Sequence, residues 1–252
     1  MGAVRMTSEE MEREILRLIA RYAPEGTKFF WDESRKHLGF CSTRRDRSSL
    51  KILSTIYISY PYAVQNTWEL VRKTVLHEIA HAIRPWHNHD DLWQYTCISI
   101  GGDGMKYASL KEALPAKYMA VCPVCGRHLF SHSKTGRATY HVKCGIESRL
   151  IWGINPDALL IKNKELLMYK VGLVRANDQG AERIRKNIGL ADLSDHEINL
   201  WCREQILKEG SEFSLSDFKC MVENDEYIIN IDASSYIVTS AKKKGKKPKK
   251  TK

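Results

Sequence analysis

The five residues His77-Glu78-Ile79-Ala80-His81 constrain this chain most, because two histidines stand four positions apart around a glutamate. On a helix, residues four apart lie on one face, so both imidazoles can bind a single metal ion. Glu78 would lie beside that ion, where a carboxylate can take a proton from a water molecule. The pattern H-E-x-x-H therefore predicts a catalytic metal site.

The flanking residues predict a helix from about residue 67 to residue 83 that carries this motif. Asn66 can cap its first turn, with Glu69 three residues later in a capping-box arrangement, and Pro85 ends it. Val75 and Leu76 can anchor the helix in a core. The alternative is an amphipathic helix with two incidental histidines, which the capped context makes the weaker interpretation.

A third metal ligand has two local candidates, His87 and His89. His87 stands at the spacing of the metzincin pattern H-E-x-x-H-x-x-G-x-x-H, but Arg84 occupies the glycine position of that pattern. A residue other than glycine is costly in a tight reversal where φ must be positive. His89 begins the segment HDDLW, in which Trp93 follows four residues later. The residues by themselves leave both histidines open as ligands.

A second set of candidate ligands lies further along the chain. Cys122 and Cys125 form a C-x-x-C knuckle, and fifteen residues later His141 and Cys144 form an H-x-x-C knuckle. Four nitrogen and sulfur ligands at this spacing are typical of a closed tetrahedral Zn²⁺ site. Because such a site has no open position, we expect this zinc to be structural.

Two alternatives exist for the knuckles. A redox-active C-x-x-C is one, and the matching second knuckle argues against it. His128 or His132 could replace His141 as the ligand, but only His141 has the two-residue spacing to a cysteine. The other cysteines show no ligand spacing and are expected to be small buried apolar residues: Cys41, Cys97, Cys202 and Cys220.

Basic and aromatic residues lie between the knuckles, without an acid among them. They are Arg127, Lys134, Arg137 and Lys143, with Phe130 and Tyr140. This composition is typical of a small surface that contacts nucleic acid, and equally of a solvated rim.

The net charge of +10 is concentrated at the carboxyl terminus. The last twelve residues, AKKKGKKPKKTK, contain eight lysines, and without them 32 basic residues face 30 acidic ones, a charge of +2. Mutual repulsion, Gly245 and Pro248 predict that this tail is disordered. We expect it to be attracted to a polyanion, and a solubilising end is the alternative.

Composition argues against two classes of protein. No run of about 18 apolar residues exists, so we expect no membrane span, and the charged amino terminus has no apolar signal-peptide core. The seven cysteines are odd in number and mostly scattered, which argues against a secreted disulfide framework. We therefore expect a soluble intracellular protein, cytoplasmic or associated with the nucleoid or nucleus.

Hydrophobic periodicity predicts both helices and strands. Residues 7–21 form an amphipathic helix, and residues 92–118 look mostly helical with an interruption at GGDG. A further helix begins at Ser194, with Glu197 behind it. Five runs are typical of strands: TKFFW, HLGFCS, KILSTIYIS, EYIINI and SYIVTS.

Several of these segments together resemble the SprT-like family over roughly residues 7–148. The resemblance rests on four features: the strand pair HLGFCS and KILSTIYIS, the H-E-x-x-H motif, a later histidine followed after four residues by Trp, and the paired knuckles. By this resemblance His89 is the third ligand, and His87 is a loop histidine. The linker from His81 to His89 is short for the family, and His141 stands where a cysteine is more usual.

We expect an α+β fold in four parts, of which the resemblance implies the first two. These are a zincin-like metalloprotease domain over residues 1–118, a small zinc ribbon over 119–150, a C-terminal α/β module of unknown role over 151–239, and a disordered lysine-rich tail over 240–252. Two zinc ions are expected. His77, His81 and His89 would bind the catalytic ion, and Cys122, Cys125, His141 and Cys144 the structural one.

The resemblance implies a zinc metallopeptidase in which Glu78 serves as the general base. We expect it to hydrolyse peptide bonds in DNA-associated proteins, since the Spartan branch of the family implies repair of DNA–protein crosslinks. The zinc ribbon and the lysine tail would bind the DNA. Two alternatives remain, a DNA-binding or transcription-associated module whose metal site is structural, and a zinc hydrolase that acts on another kind of bond.

Overall fold

Helices and sheets are mixed along the chain in the computed structural model, which describes residues 6–47, 51–106, 114–134 and 138–245. The predicted α+β class is confirmed. The chain divides into two compact units, Met1–Ala158 and Leu159–Lys252. Within the described ranges, no helix has both the length and the apolar character that crossing a membrane requires.

The first unit begins with helix α1 (Ser8–Tyr22), which follows the predicted amphipathic pattern. Thr7 caps it, and Glu10 completes a capping box by binding back to the Thr7 backbone N–H. Its apolar face buries three side chains: Met11, Ile15 and Ile19.

Three predicted strands form the sheet of this unit. They are β1 (Lys28–Asp32), β2 (Gly39–Arg45) and β3 (Ile52–Ser59). The strand order is β1-β3-β2, with β1 parallel and β2 antiparallel to the central strand. Helix α2 (Tyr60–Gln65) follows directly after β3.

The long helix α3 (Trp68–Ile83) packs against β2, β3 and α1. The prediction that Asn66 caps it is wrong. Thr67 is the N-cap residue, without a side-chain hydrogen bond, while Asn66 ends α2. The Asn66 amide donates to the Tyr62 carbonyl over 3.0 Å, so this side chain is already committed to the preceding helix.

Helix α4 (Asp91–Ser99) is shorter than the sequence predicted. The predicted interruption at GGDG is confirmed, but the prediction of helix is wrong for residue 100 and, beyond the interruption, for 105–106 and 114–118, which form no helix. Gly101 and Gly104 have positive φ values of 92° and 66°, and these end the helical path. Residues 107–113 of that prediction lie outside the described residues.

The cysteine-rich segment forms a small second sheet in the first unit. It comprises β4 (Tyr118–Val121), β5 (His128–Ser131) and β6 (Gly153–Ile154), in the order β5-β4-β6. Its core is small, with three buried residues at its centre: Ala120, Cys122 and Leu150.

The second unit combines three helices with a five-stranded sheet. The helices are α5 (Lys164–Tyr169), α6 (Asp178–Ile188) and α7 (Asp195–Leu207). The strands are β7 (Arg175–Ala176), β8 (Glu212–Ser216), β9 (Lys219–Glu223), β10 (Tyr227–Asp232) and β11 (Ile237–Lys243), in the order β7-β11-β10-β9-β8. The predicted capping box of Ser194 and Glu197 begins α7.

The predicted disordered tail from residue 240 is wrong at its start. Strand β11 continues through Lys243, with Lys242 opposite Ile228 and Ala241 completely buried. Lys244 forms an ion pair with Glu223 at 2.5 Å. Lys242 and Lys243 are exposed while their backbone completes the sheet. Residues 246–252 of the predicted tail lie outside the described residues.

Candidate metal centres

Three imidazole nitrogens converge beside helix α3. His77 and His81 lie four residues apart on that helix, and His89 approaches them from the loop that follows. The Nε2 atom of His89 is 3.0 Å from Nε2 of His77 and 3.1 Å from Nε2 of His81. We call these three residues the histidine cluster.

Backbone carbonyl groups orient two rings of the histidine cluster. The carbonyl of Met105 accepts a hydrogen bond from His77, and the carbonyl of His87 accepts one from His81. Because Nε2 of each ring faces His89, the donated proton lies on Nδ1 and each Nε2 presents a lone pair. Converging lone pairs repel one another unless a cation lies between them.

Electrostatics keep these rings in the form that binds metals. Burial first, and then the neighbouring imidazoles, lower the pKa of His77 and of His81 to about 4. Burial also lowers the pKa of His89. At neutral pH all three rings are therefore uncharged, as a metal ligand must be.

The donor set of the histidine cluster fits a zinc ion. Imidazole nitrogens about 2.0–2.1 Å from a tetrahedral Zn²⁺ would be about 3.3 Å apart, close to the separations seen here. Three nitrogen ligands leave a fourth position for water or substrate, which is the arrangement of catalytic zinc sites. The buried Nδ1 of His89 has no hydrogen-bond partner among the described residues.

The loop after α3 reverses without the glycine of the metzincin pattern. Arg84 ends the helix with a φ of −119°, so no positive φ is needed there. The positive values fall instead on Trp86, at 70°, and on His89, at 59°. Such a conformation is unfavourable for residues other than glycine, and the Arg84 side chain helps hold the loop by donating to the Thr96 hydroxyl.

Trp93 forms the floor of the histidine cluster. Its indole is completely buried, and its ring centroid lies 4.6, 5.1 and 4.5 Å from those of His77, His81 and His89. Asp90 caps α4 by accepting from the Trp93 backbone N–H over 2.9 Å. The four-residue spacing from His89 to Trp93 thus brings the third imidazole and its support to the same place.

Glu78 lies between the two helical histidines in sequence and is only 5% exposed. Burial raises the pKa of its carboxyl group to about 8, and a hydrogen bond from the Cys41 backbone N–H opposes that rise. Strand β2 can approach this closely because residue 39 is glycine. A Cβ at Gly39 would lie 3.2 Å from Cγ of Glu78 and 2.9 Å from the Tyr57 carbonyl.

The region that holds this geometry has known relatives. Residues 8–104 match the SprT-like family. This amino-terminal domain belongs to the SprT-like family. The comparisons with curated proteins and with solved structures gave no match.

In this SprT-like domain the structure brings His89, rather than His87, to the helical pair. The His87 ring points elsewhere, with Nδ1 2.6 Å from an Asp90 carboxylate oxygen. Only the His87 backbone, through its bond to His81, takes part in the cluster. No pattern of residue types could indicate that carbonyl, or the backbone groups of Met105 and Cys41, because every residue carries the same backbone groups.

A second cluster lies beyond the family match. The side chains of Cys122, Cys125, His141 and Cys144 converge, with Nδ1 of His141 3.3 Å from Sγ of Cys125 and 3.2 Å from Sγ of Cys144. We call these four residues the Cys3His cluster. Four such ligands fit a tetrahedral zinc ion and leave no open position.

Matching turns present the ligands of the Cys3His cluster. Each knuckle ends in a glycine of positive φ, Gly126 at 70° and Gly145 at 72°. Burial tends to raise the pKa of Cys122, but N–H groups of Cys125 and Val124 lower it to about 6, which favours the thiolate that binds zinc. Ser148 supports the second knuckle by accepting from the His141 N–H over 2.9 Å.

The remaining predicted residues lie outside both clusters. His128 is exposed on β5, and His132 is not among the converging ligands. Cys97, Cys202 and Cys220 are buried as predicted, while Cys41 is half-buried beside Thr43. Phe130 and Tyr140 are exposed, as are Arg127, Lys134 and Lys143, whereas Arg137 lies outside the described residues.

Proposed function

We propose that this protein is a zinc-dependent metallopeptidase whose active site is the histidine cluster with Glu78. The convergence of three neutral imidazoles beside a buried carboxyl group carries the proposal, together with membership of the SprT-like family. The domain would then be zincin-like, with His77, His81 and His89 as the ligands of the catalytic zinc. A bound zinc ion would polarise the scissile carbonyl and acidify a water molecule.

Glu78 is the group that moves the proton. Its carboxylate takes a proton from the attacking water and delivers it to the amine that leaves. A pKa of about 8 suits both roles near neutral pH, because the group can accept and release a proton with little driving force against it. The Cys41 N–H stabilises the carboxylate that accepts the first proton and that is restored once the second transfer is complete.

The Cys3His cluster would hold a second, structural zinc in a ribbon. Its sheet has a small core of three buried residues, too few to hold the fold by burial alone. A metal that links both knuckles would supply the missing stability. Arg127, Lys134, Arg137 and Lys143 would make this ribbon a contact for DNA.

Proteins bound to DNA are the proposed substrates. The first unit has 22 basic and 16 acidic residues, whereas the second unit has 10 basic and 14 acidic residues once the last twelve positions are excluded. Positive charge therefore accompanies the candidate active site and the lysine tail, which would attract a polyanion. Repair of DNA–protein crosslinks, as in the Spartan branch of the family, is the process that this combination favours.

Cleavage of casein and of histones on DNA tests the proposal. The Glu78→Gln variant should lose about 10²- to 10⁴-fold in rate, the usual contribution of a general acid–base, while zinc content stays unchanged. A DNA-binding module with a structural metal would cleave neither substrate in either form. A zinc hydrolase of another bond would also leave both substrates intact, but would lose its own activity in the Glu78→Gln variant.

A further inference from the structure

Three aromatic rings form a row on the outer face of the amino-terminal sheet. Phe30 on β1 and Phe40 on β2 both lie opposite Tyr57 on β3. The Phe30 and Tyr57 rings stack with centroids 5.9 Å apart at 26°, and the Phe40 and Tyr57 rings with centroids 4.4 Å apart at 10°. We call these three residues the aromatic row.

The aromatic row faces solvent. Side chains alternate along β3, so Ile56 and Ile58 point to the helices and are completely buried, whereas Tyr57 points to the other face. Phe30 is 50% exposed and Phe40 is 39% exposed. Contiguous apolar surface of this kind is typical of a binding site, in contrast to single exposed apolar residues.

Basic and hydroxyl side chains continue this face toward the β2–β3 connection. Lys28 and Ser42 both lie opposite Thr55. Arg44 lies opposite Leu53, two residues further toward that connection. Beyond them Arg47 is exposed, directly after Asp46. At the opposite end, the Asp32 carboxylate lies 2.8 Å from a ring nitrogen of His37. The face thus combines flat apolar rings with positive charge.

We propose that the outer face of this sheet binds single-stranded nucleic acid. A base would stack on the side of Phe30 that faces away from Tyr57, and phosphates would contact Lys28 and Arg44. That side is available because β1 is an edge strand, whereas the His37 ring packs edge-on against Phe40 with centroids 5.1 Å apart. Aromatic stacking and basic side chains together are the recurring means of binding unpaired strands.

The charge and the shape of this face favour single-stranded nucleic acid over a duplex and over an acidic peptide. A duplex keeps its bases stacked inside, so its outer surface offers no base for Phe30. An acidic peptide would meet Lys28 and Arg44 but would leave the aromatic row without a flat partner. The site adds a contact for the DNA of the proposed function, but nucleic-acid binding here does not require peptidase activity.

Binding of a labelled oligothymidylate to the full chain tests the role of Phe30. With Glu78→Gln as the common background, Phe30→Ala should weaken binding about 5- to 100-fold, the range for one stacked base. The dependence on salt should stay unchanged, because no charge is removed. Phe30→Trp should restore binding. Tyr169→Ala, at an aromatic residue of the second unit that is 77% exposed, is the matched control and should bind as the background protein does.

Removing the two charges tests the other half of the site. The Lys28→Ala, Arg44→Ala double variant should flatten the slope of log affinity against log salt by about 0.7 for each lost contact. Arg183→Ala with Lys186→Ala, both exposed on α6, is the control of equal charge and should leave the slope nearly unchanged.

Three outcomes would overturn the site. In the first, the Phe30→Ala variant binds oligothymidylate as tightly as the background protein does. In the second, the variant loses as much affinity for duplex DNA as for oligothymidylate, and in the third, an acidic peptide of equal charge competes with the oligonucleotide at equal affinity. Each result would mean that stacking of a base on Phe30 does not account for binding. If the wild-type protein fails to cleave casein, that result counts against the proposed peptidase and not against this site. The binding measurement is independent of it, because every protein in it carries the inactivating Glu78→Gln substitution.

Discussion

The histidine cluster and the Cys3His cluster solve the same geometric problem in different ways. In the Cys3His cluster, short turns bring four candidate ligands together, and a glycine of positive φ ends each knuckle. In the histidine cluster, a helix presents two candidate ligands, and a strained loop with positive φ at Trp86 and His89 presents the third. The first arrangement is closed by four ligands, whereas the second leaves room for a fourth partner.

We interpret this difference as a division of roles, in which the Cys3His cluster stabilises its own segment and the histidine cluster serves the chemistry. The knuckles use glycine where the backbone requires it, and their sheet has little other core to hold it. The histidine cluster stands on buried residues of α3 and on the completely buried Trp93, so apolar packing supports its fold. Strained backbone in that setting is typical of active sites, because the surrounding packing can hold it.

The largest expected effect separates two neighbouring histidines of the SprT-like domain. His89→Ala should reduce peptide cleavage by more than about a hundredfold, beyond the usual loss from altering a residue that only supports a ligand. His87→Ala should stay within about tenfold of wild type. It keeps the backbone carbonyl that binds His81 and loses only an exposed contact with Asp90. Cleavage rate and zinc content should be measured together, and a reversed order would assign the ligand role to His87.

Removal of the lysines beyond residue 245 should have the next largest effect. Deleting residues 246–252 removes five lysines without disturbing β11 or the ion pair of Lys244. If all five contact duplex DNA, the slope of log affinity against log salt should flatten by about 4.5, or 0.9 for each contact. Cleavage of a small free peptide should be unchanged. Identical salt slopes for the two proteins would remove the tail from the account of DNA binding.

Graded chelation should distinguish the two clusters directly. Protein prepared without chelator should contain two zinc ions per chain, one in each cluster. A mild chelator should remove the zinc of the histidine cluster first, because three cysteine ligands bind zinc more strongly and that segment's fold depends on it. Zinc content and cleavage should fall together in the first phase. One zinc in the starting material, or retained activity after its loss, would contradict the assignment.

The smallest expected effect concerns the backbone turns. Gly145→Ala should destabilise the Cys3His cluster by about 1–2 kcal/mol, because alanine is strained at a φ of 72° although nothing blocks its Cβ. Trp86→Gly should change the free energy of unfolding little, since relief of strain offsets the greater freedom of the unfolded chain. Urea unfolding of both variants checks this, and a larger loss for Trp86→Gly would mean that the indole is needed for the loop.

Much of the candidate site could be predicted from residue types and spacing. His77 and His81 converge because helical spacing requires it, and a two-residue spacing places the two candidate ligands of each knuckle side by side. The choice of His89 needed the family resemblance, since spacing alone left His87 open. The Asn66 cap and the tail boundary were wrong. Asn66 instead ends the short helix α2, through Tyr62 four residues earlier, and strand β10 pairs with Lys242 and Lys243, and the sequence pattern indicated neither partner.

The sequence by itself determined the class of fold and the two groups of residues from which candidate metal ligands come. These follow from periodicity and from ligand chemistry, which act over a few residues. Tertiary structure decided which groups surround those ligands: the carbonyls of Met105 and His87, the Cys41 N–H beside Glu78, and the aromatic row across three strands. Backbone hydrogen bonds and cross-strand contacts join residues that are distant in sequence or identical in their backbone chemistry, so only the folded chain specifies them.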